Sequence, residues 1–106
     1  MAEAVCFHSP VADYEGRAEV AHLLWLIASV VREVEPTREL VDGTARTSFI
    51  TGVVDGQPVQ GVLDEHYDQQ GLLTAATLML RPFAALRVAI AAMAAALEAD
   101  PLPGAR

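Results

Sequence analysis

The chain contains no lysine; all seven of its cations are arginine, set against fourteen carboxylates for a net charge of −7. The arginines are scattered and form no cluster. The basic patch that a nucleic-acid binder needs is therefore missing, and that class is set aside. Cysteine is nearly absent. Cys6 stands alone, so an internal disulfide and a Cys-based metal cluster are both excluded, and it reads as a small apolar residue. Long apolar runs are lacking as well. The longest uncharged stretches, 20–31, 69–80 and 88–97, all fall short of the roughly 18 residues of a membrane-spanning helix. The first residues, Met1-Ala2-Glu3-Ala4, carry no basic flank and no leading apolar run, so the expected location is cytoplasmic. Glycine-rich phosphate loops, a serine elbow and a Cys–His nucleophile pattern are also missing, and no cofactor is expected. His8, His22 and His66 lie too far apart in sequence to argue for a metal triad.

What is present is apolar. Hydrophobic residues make up 53% of the chain, so it either buries a large core or keeps apolar surface for a partner. A length of 106 residues suits one domain. No repeat or linker divides it; the core is expected over about 5–98, with a frayed tail at 99–106.

The pattern along the chain predicts α+β organisation. Val5–His8 reads as a short extended piece, ended by Ser9-Pro10. Residues 17–34 read as a helix whose core stripe is Val20, Leu23, Leu24, Ile27, Val31 and Val34. At 100° per residue, Trp25 and Leu26 fall on the far side, which predicts a second covered surface or a contact with another chain. After Pro36 comes a strand over 37–41. Then 44–54 and 57–67 form a hairpin, joined by Asp55-Gly56 in the positive-φ positions of a type I′ turn. Asp68-Gln-Gln-Gly71 turns into a strand over 72–80. That strand stops at Arg81-Pro82, because proline donates no ladder hydrogen bond and fits the first turn of a helix. The last helix, 82–98, carries Phe83, Leu86, Ile90, Met93 and Leu97 at spacings of 3, 4, 3 and 4, flanked by alanine. Such a seam suits either the chain's own sheet or the matching helix of a second subunit. An antiparallel sheet covered by helix is the expected architecture.

Taken together, Phe7-His8-Ser9-Pro10-Val11, Tyr14, Gly16-Arg17, Asp55-Gly56, Gly61, Gly71 and Arg81-Pro82 with Ala85-Leu86 resemble a SnoaL-like domain of the nuclear transport factor 2-like superfamily, over about residues 6 to 93. The resemblance implies a curved sheet forming a cone-like half-barrel packed with helices around an apolar pocket. Members include polyketide cyclases, ketosteroid isomerases and limonene epoxide hydrolases, as well as binding proteins without chemistry. Fold therefore does not decide function. Two departures stand out. Members usually carry helices ahead of the strand that matches Phe7-His8, so by this resemblance the chain is expected to be N-terminally short. Many relatives also place an aspartate two residues after the glycine that matches Gly61, where this chain has Leu63.

Glu65 is the nearest replacement for that acid, on the same strand face as Leu63 and Tyr67, whereas Asp64 and Asp68 are expected outside. A carboxylate with its pKa raised by an apolar wall is what an isomerase or epoxide hydrolase needs; the alternative is a solvated strand residue. The pocket implied by the resemblance is lined by Tyr14, Phe49, Leu63, Tyr67 and Met79. His8 is a titratable neighbour, and Arg81 a clamp for a carboxylate or a structural ion-pair partner. The expected ligand is a small apolar, lightly oxygenated compound. A homodimer is expected through Trp25, Leu26, Leu86, Ile90 and Met93. The competing readings are a non-catalytic interaction protein and an N-terminally incomplete family member.

Overall fold

A computed structural model describes residues 1–104. Two short strands, β1 (Cys6–His8) and β2 (Asp13–Glu15), lead into helix α1 (Arg17–Val30). Four long strands follow: β3 (Arg32–Asp42), β4 (Ala45–Val54), β5 (Gln57–Tyr67) and β6 (Leu73–Arg81). Helix α2 (Phe83–Ala99) ends the fold. The six strands form one curved, unclosed sheet in the order β2-β1-β6-β5-β4-β3. The Asp55-Gly56 turn has φ of 48° and 77°, the paired positive values that the hairpin prediction requires. Among the described residues no helix is long and apolar enough to cross a membrane.

Three local expectations change. The pairing is antiparallel except for β1 against β6, which run parallel with Phe7 opposite Ala76. Strand β2, only three residues long and paired with β1, is too short to show periodicity in sequence. Helix α1 stops at Val30 rather than 34. The Val31 N–H makes the final helical bond to the Ile27 carbonyl at 2.8 Å, in extended conformation. The chain then enters β3 through a positive-φ Glu33 at 56°, with register shifts between Arg32 and Glu35 and between Pro36 and Arg38. These bulges admit Pro36 to an edge strand, where a missing N–H costs no ladder bond. Thr37 Oγ1, in the second bulge, donates to the Phe49 carbonyl at 3.1 Å.

Register sorts the sheet's two faces. Arg46, Ser48, Ile50 and Gly52 of β4 stand opposite Glu65, Leu63, Gly61 and Val59 of β5. The β5 residues in turn meet Ala76, Leu78 and Leu80 of β6. This is the concave, helix-covered face. Its core holds Val5, Phe7, Val20, Leu23, Ala76 and Leu78, with a second cluster of Val31, Val54, Val59, Ala85 and Ala89. Gly61 belongs here for a steric reason: a Cβ on it would lie 2.7 Å from Leu80 Cδ2 and 2.8 Å from the Met79 carbonyl oxygen.

The helices need the largest correction. The buried residues of α1 are Val20, Leu23 and Leu26. Their spacing of three turns the buried stripe by about 60° at each step. Leu26, expected at a subunit contact, is 4% exposed within its own chain, whereas its neighbour Trp25 is 67% exposed. In α2 the most buried positions are Ala85 and Ala89, and Phe83 is 71% exposed. Alanine lets this helix lie close on the sheet, so the C-terminal helix itself covers the concave face. The tail is also held further than expected. The His22 ring Nε2–H donates to the Asp100 carbonyl at 2.9 Å, and Leu102 packs on the core. Residues 105–106 of the expected frayed tail lie outside the described residues.

Candidate functional site

A cleft of about 180 Å³ lies between the two helices and the sheet. Leu23, Ile27 and Val30 of α1 form one wall and Leu86, Ile90, Met93 and Leu97 of α2 the other. Leu78 and Leu80 of β6 form the floor, and Tyr14 with the Ser9–Val11 loop closes an end. The α2 seam thus faces the cleft. Leu86, Ile90 and Met93, expected at a subunit contact, line this cleft as half-buried residues. The seam was legible in the sequence; the surface it meets was not, because that surface is assembled from α1, β6 and the β1–β2 loop.

The loop is held by its own serine. Ser9 Oγ accepts from the N–H groups of Val11 at 3.2 Å and Ala12 at 3.0 Å, and donates to the Ala12 carbonyl at 2.8 Å. With Ser9 so engaged, Tyr14 is, among the described residues, the one other side chain lining the cleft that carries a hydroxyl. The remaining lining is aliphatic, alanine, methionine and proline. An apolar cavity of about 150 Å³ is enough to hold benzene, so this cleft matches a ligand of one or two rings.

The structure does not bring Glu65 to that cleft. Glu65 shares the concave face but ends in a cluster with Arg46, opposite it on β4, and Tyr67, two residues on. Arg46 donates to Glu65 Oε1 from Nε at 3.2 Å and Nη2 at 3.0 Å, and the Tyr67 hydroxyl donates to Oε2 at 2.8 Å. The Glu65 side chain is only 13% exposed. Its bond to Arg46 and its charge both raise the guanidinium pKa above the ordinary value. Burial, then the bond to Glu65, raises the Tyr67 phenol. A carboxylate held by three donors is charge-compensated, unlike a free acid against an apolar wall. Leu63, next along the concave face, packs on the core beside Leu78 and likewise lies outside the cleft lining.

Four other expected ligand contacts lie on the opposite, convex face. Phe49 and Met79 both align with Val62 there. Met79 is 58% exposed, and the Arg38 guanidinium sits 5.5 Å from the Phe49 ring centroid. His8 pairs with Thr77 and donates from Nδ1 to Asp13 at 2.7 Å. Arg81 stands opposite Gln60 and donates to its side-chain oxygen. The reason is strand alternation: a residue adjacent to a concave one points to the other face. Asp64 is on the convex side too, accepting from Thr47 Oγ1 at 2.7 Å and His66 Nε2 at 2.9 Å. Those two bonds lower its pKa below the usual carboxylate value.

No protein-family model matches this chain, and no curated protein matches its sequence. Solved structures do match. An uncharacterised Silicibacter pomeroyi protein with a cystatin-like fold aligns with a TM-score of 0.90 at 24% identity, over 94% of this chain and 72% of that one. A steroid delta-isomerase from Pseudomonas aeruginosa gives 0.89 at 22% identity, over 93% of this chain and 75% of that one. A Catenulispora acidiphila protein with a ketosteroid isomerase-like fold, in complex with trimethylamine, gives 0.63 at 13% identity, over 79% and 71%. At these identities the similarity establishes the fold: a nuclear transport factor 2-like cone, as the SnoaL-like resemblance implies.

Proposed function

We propose that this chain binds a small, mostly apolar, neutral ligand in the cleft between α1 and α2, and that the site is built for binding rather than turnover. The observation that carries this reading is the lining, which is apolar except for Tyr14 and the engaged Ser9. Burial of apolar surface supplies the affinity at about 25 cal/mol per Å². Tyr14 adds a hydrogen bond for one oxygen on the ligand, the usual division of labour in such pockets. A ligand-binding role also agrees with the fold's likeness to the steroid delta-isomerase from Pseudomonas aeruginosa. Isomerase, cyclase or epoxide hydrolase chemistry needs an acid or base within hydrogen-bond reach of the substrate. Among the described residues no carboxylate or imidazole lines this cleft, and Glu65 is committed to Arg46 and Tyr67.

The test uses 2-naphthol, a two-ring compound with one hydroxyl. Saturable one-to-one binding by calorimetry is expected. Ala94, an exposed residue on the cleft lining, offers a way to fill the cleft without disturbing the core. Ala94→Trp should weaken binding at least tenfold. Tyr14→Phe should cost up to about tenfold, the value of one hydrogen bond. Absence of saturable binding, or binding indifferent to Ala94→Trp, overturns the proposal.

A further inference from the structure

Strand β3 is the longer of the sheet's two edge strands, and its two halves differ. Arg32–Thr37 holds a positive-φ residue, two register shifts and a proline, the devices that keep an edge from pairing. Arg38–Asp42 has none of these and runs in unbroken register against Phe49–Ala45. It also exposes two large apolar side chains, Leu40 at 49% and Val41 at 71%. The guarded half makes the unguarded half informative.

We infer that Arg38–Asp42 pairs with the same segment of a second copy of this chain, antiparallel about a two-fold axis through Leu40. Backbone geometry permits this centre. The two-residue connection Gly43-Thr44 closes the β3–β4 hairpin on Asp42 and Ala45, so alternate residues from Asp42 back bond to β4. Glu39 and Val41 then direct their N–H and C=O groups to the open edge. About Leu40, Glu39 meets the partner's Val41 and exchanges two backbone hydrogen bonds, and symmetry repeats the exchange.

The side chains agree with the same centre. Arg38, Leu40 and Asp42 share the convex face, standing opposite Phe49, Thr47 and Ala45. Two-fold pairing at Leu40 places each Arg38 beside the partner's Asp42 and the two leucines against each other. Pairs that do not exchange backbone bonds bring their side chains closest, and opposite charges so placed are favourable whereas like charges are unfavourable. The segment is therefore self-complementary in charge as well as in shape, the property an isologous two-fold contact requires. A pairing of five residues per chain is small beside the roughly 1,200 Å² of a standard stable interface, so the dimer dissociates readily on dilution.

Sedimentation velocity across a micromolar-to-millimolar series reads the assembly, with circular dichroism confirming that each variant is folded. The wild-type chain is expected to shift from monomer to dimer. Arg38→Asp and Asp42→Arg each create like-charge pairs and should weaken the dimer at least tenfold. The double variant restores both pairs at an unchanged net charge of −7 and should recover the dimer. An equimolar mixture of the two single variants should also dimerise, because each chain then supplies the charge the other needs. A wild-type monomer throughout, a dimer insensitive to either single change, or a failure of both rescues overturns the inference.

Discussion

The side chain of Leu80 lies directly over Gly61 on the concave face, where the Cβ of any other residue would come within 2.7 Å of its Cδ2 atom. The second close atom, the Met79 carbonyl oxygen at 2.8 Å, belongs to the backbone of the neighbouring strand and cannot rotate away. Gly61→Ala must therefore both displace Leu80 and move β5 away from the Met79 carbonyl of β6. A loss of about 1–3 kcal/mol is expected, the usual cost of overpacking. Urea denaturation measures it, with a lower midpoint and unchanged slope. Adding Leu80→Ala should not restore stability, because the carbonyl contact remains.

Adjacent residues of α1 should respond very differently to truncation. Leu26 is buried, so Leu26→Ala should cost about 2–5 kcal/mol. Trp25 is 67% exposed, and its ring centroid lies 6.5 Å from that of His22. Trp25→Ala should stay within about 0.5 kcal/mol of the wild type, as surface changes generally do. Thermal unfolding of both variants decides this. Comparable losses would show that Trp25 is covered in solution.

Asp64 should titrate below the ordinary carboxylate range. Its chief cause is the bond from Thr47, followed by the bond from His66. A depressed native pKa means that the ionised form is favoured by folding. The resulting stability is present above the unfolded value of 3.8 and is lost as pH falls through the native value. Carbon-13 NMR of the carboxyl group should show both Thr47→Val and His66→Ala moving the titration upward, because each removes a bond that favours the ionised form.

Tyr67 should ionise later than an ordinary phenol in an alkaline absorbance titration. Burial disfavours the phenolate, and so does the neighbouring Glu65 carboxylate that accepts its hydrogen bond. The folded state therefore holds this proton more tightly than the unfolded chain. The associated stability is fully present below the unfolded value of 10.0 and is lost as pH rises through the native value. Glu65→Gln should bring the transition down towards 10.0, because the carboxylate's bond and charge no longer oppose ionisation.

Much of the fold follows from local chemistry. The Asp55-Gly56 turn, the strand-to-helix change at Arg81-Pro82 and the common face of Leu63, Glu65 and Tyr67 each depend on a few consecutive residues. Allowed φ values, a missing N–H and strand alternation determine them wherever the segment goes. The assignments that needed the folded structure all involve distant partners. Glu65 is compensated by Arg46, nineteen residues away, whose identity depends on β4–β5 register. The parallel seating of β1 on β6 joins residues some seventy positions apart. The α2 seam announced an apolar partner but not which one. Leu26 and Trp25, side by side and both apolar, were separated only by where the curved sheet meets α1. Periodicity fixes the angle between two side chains on a helix, whereas the direction that becomes the interior is decided by the surface against which the helix packs.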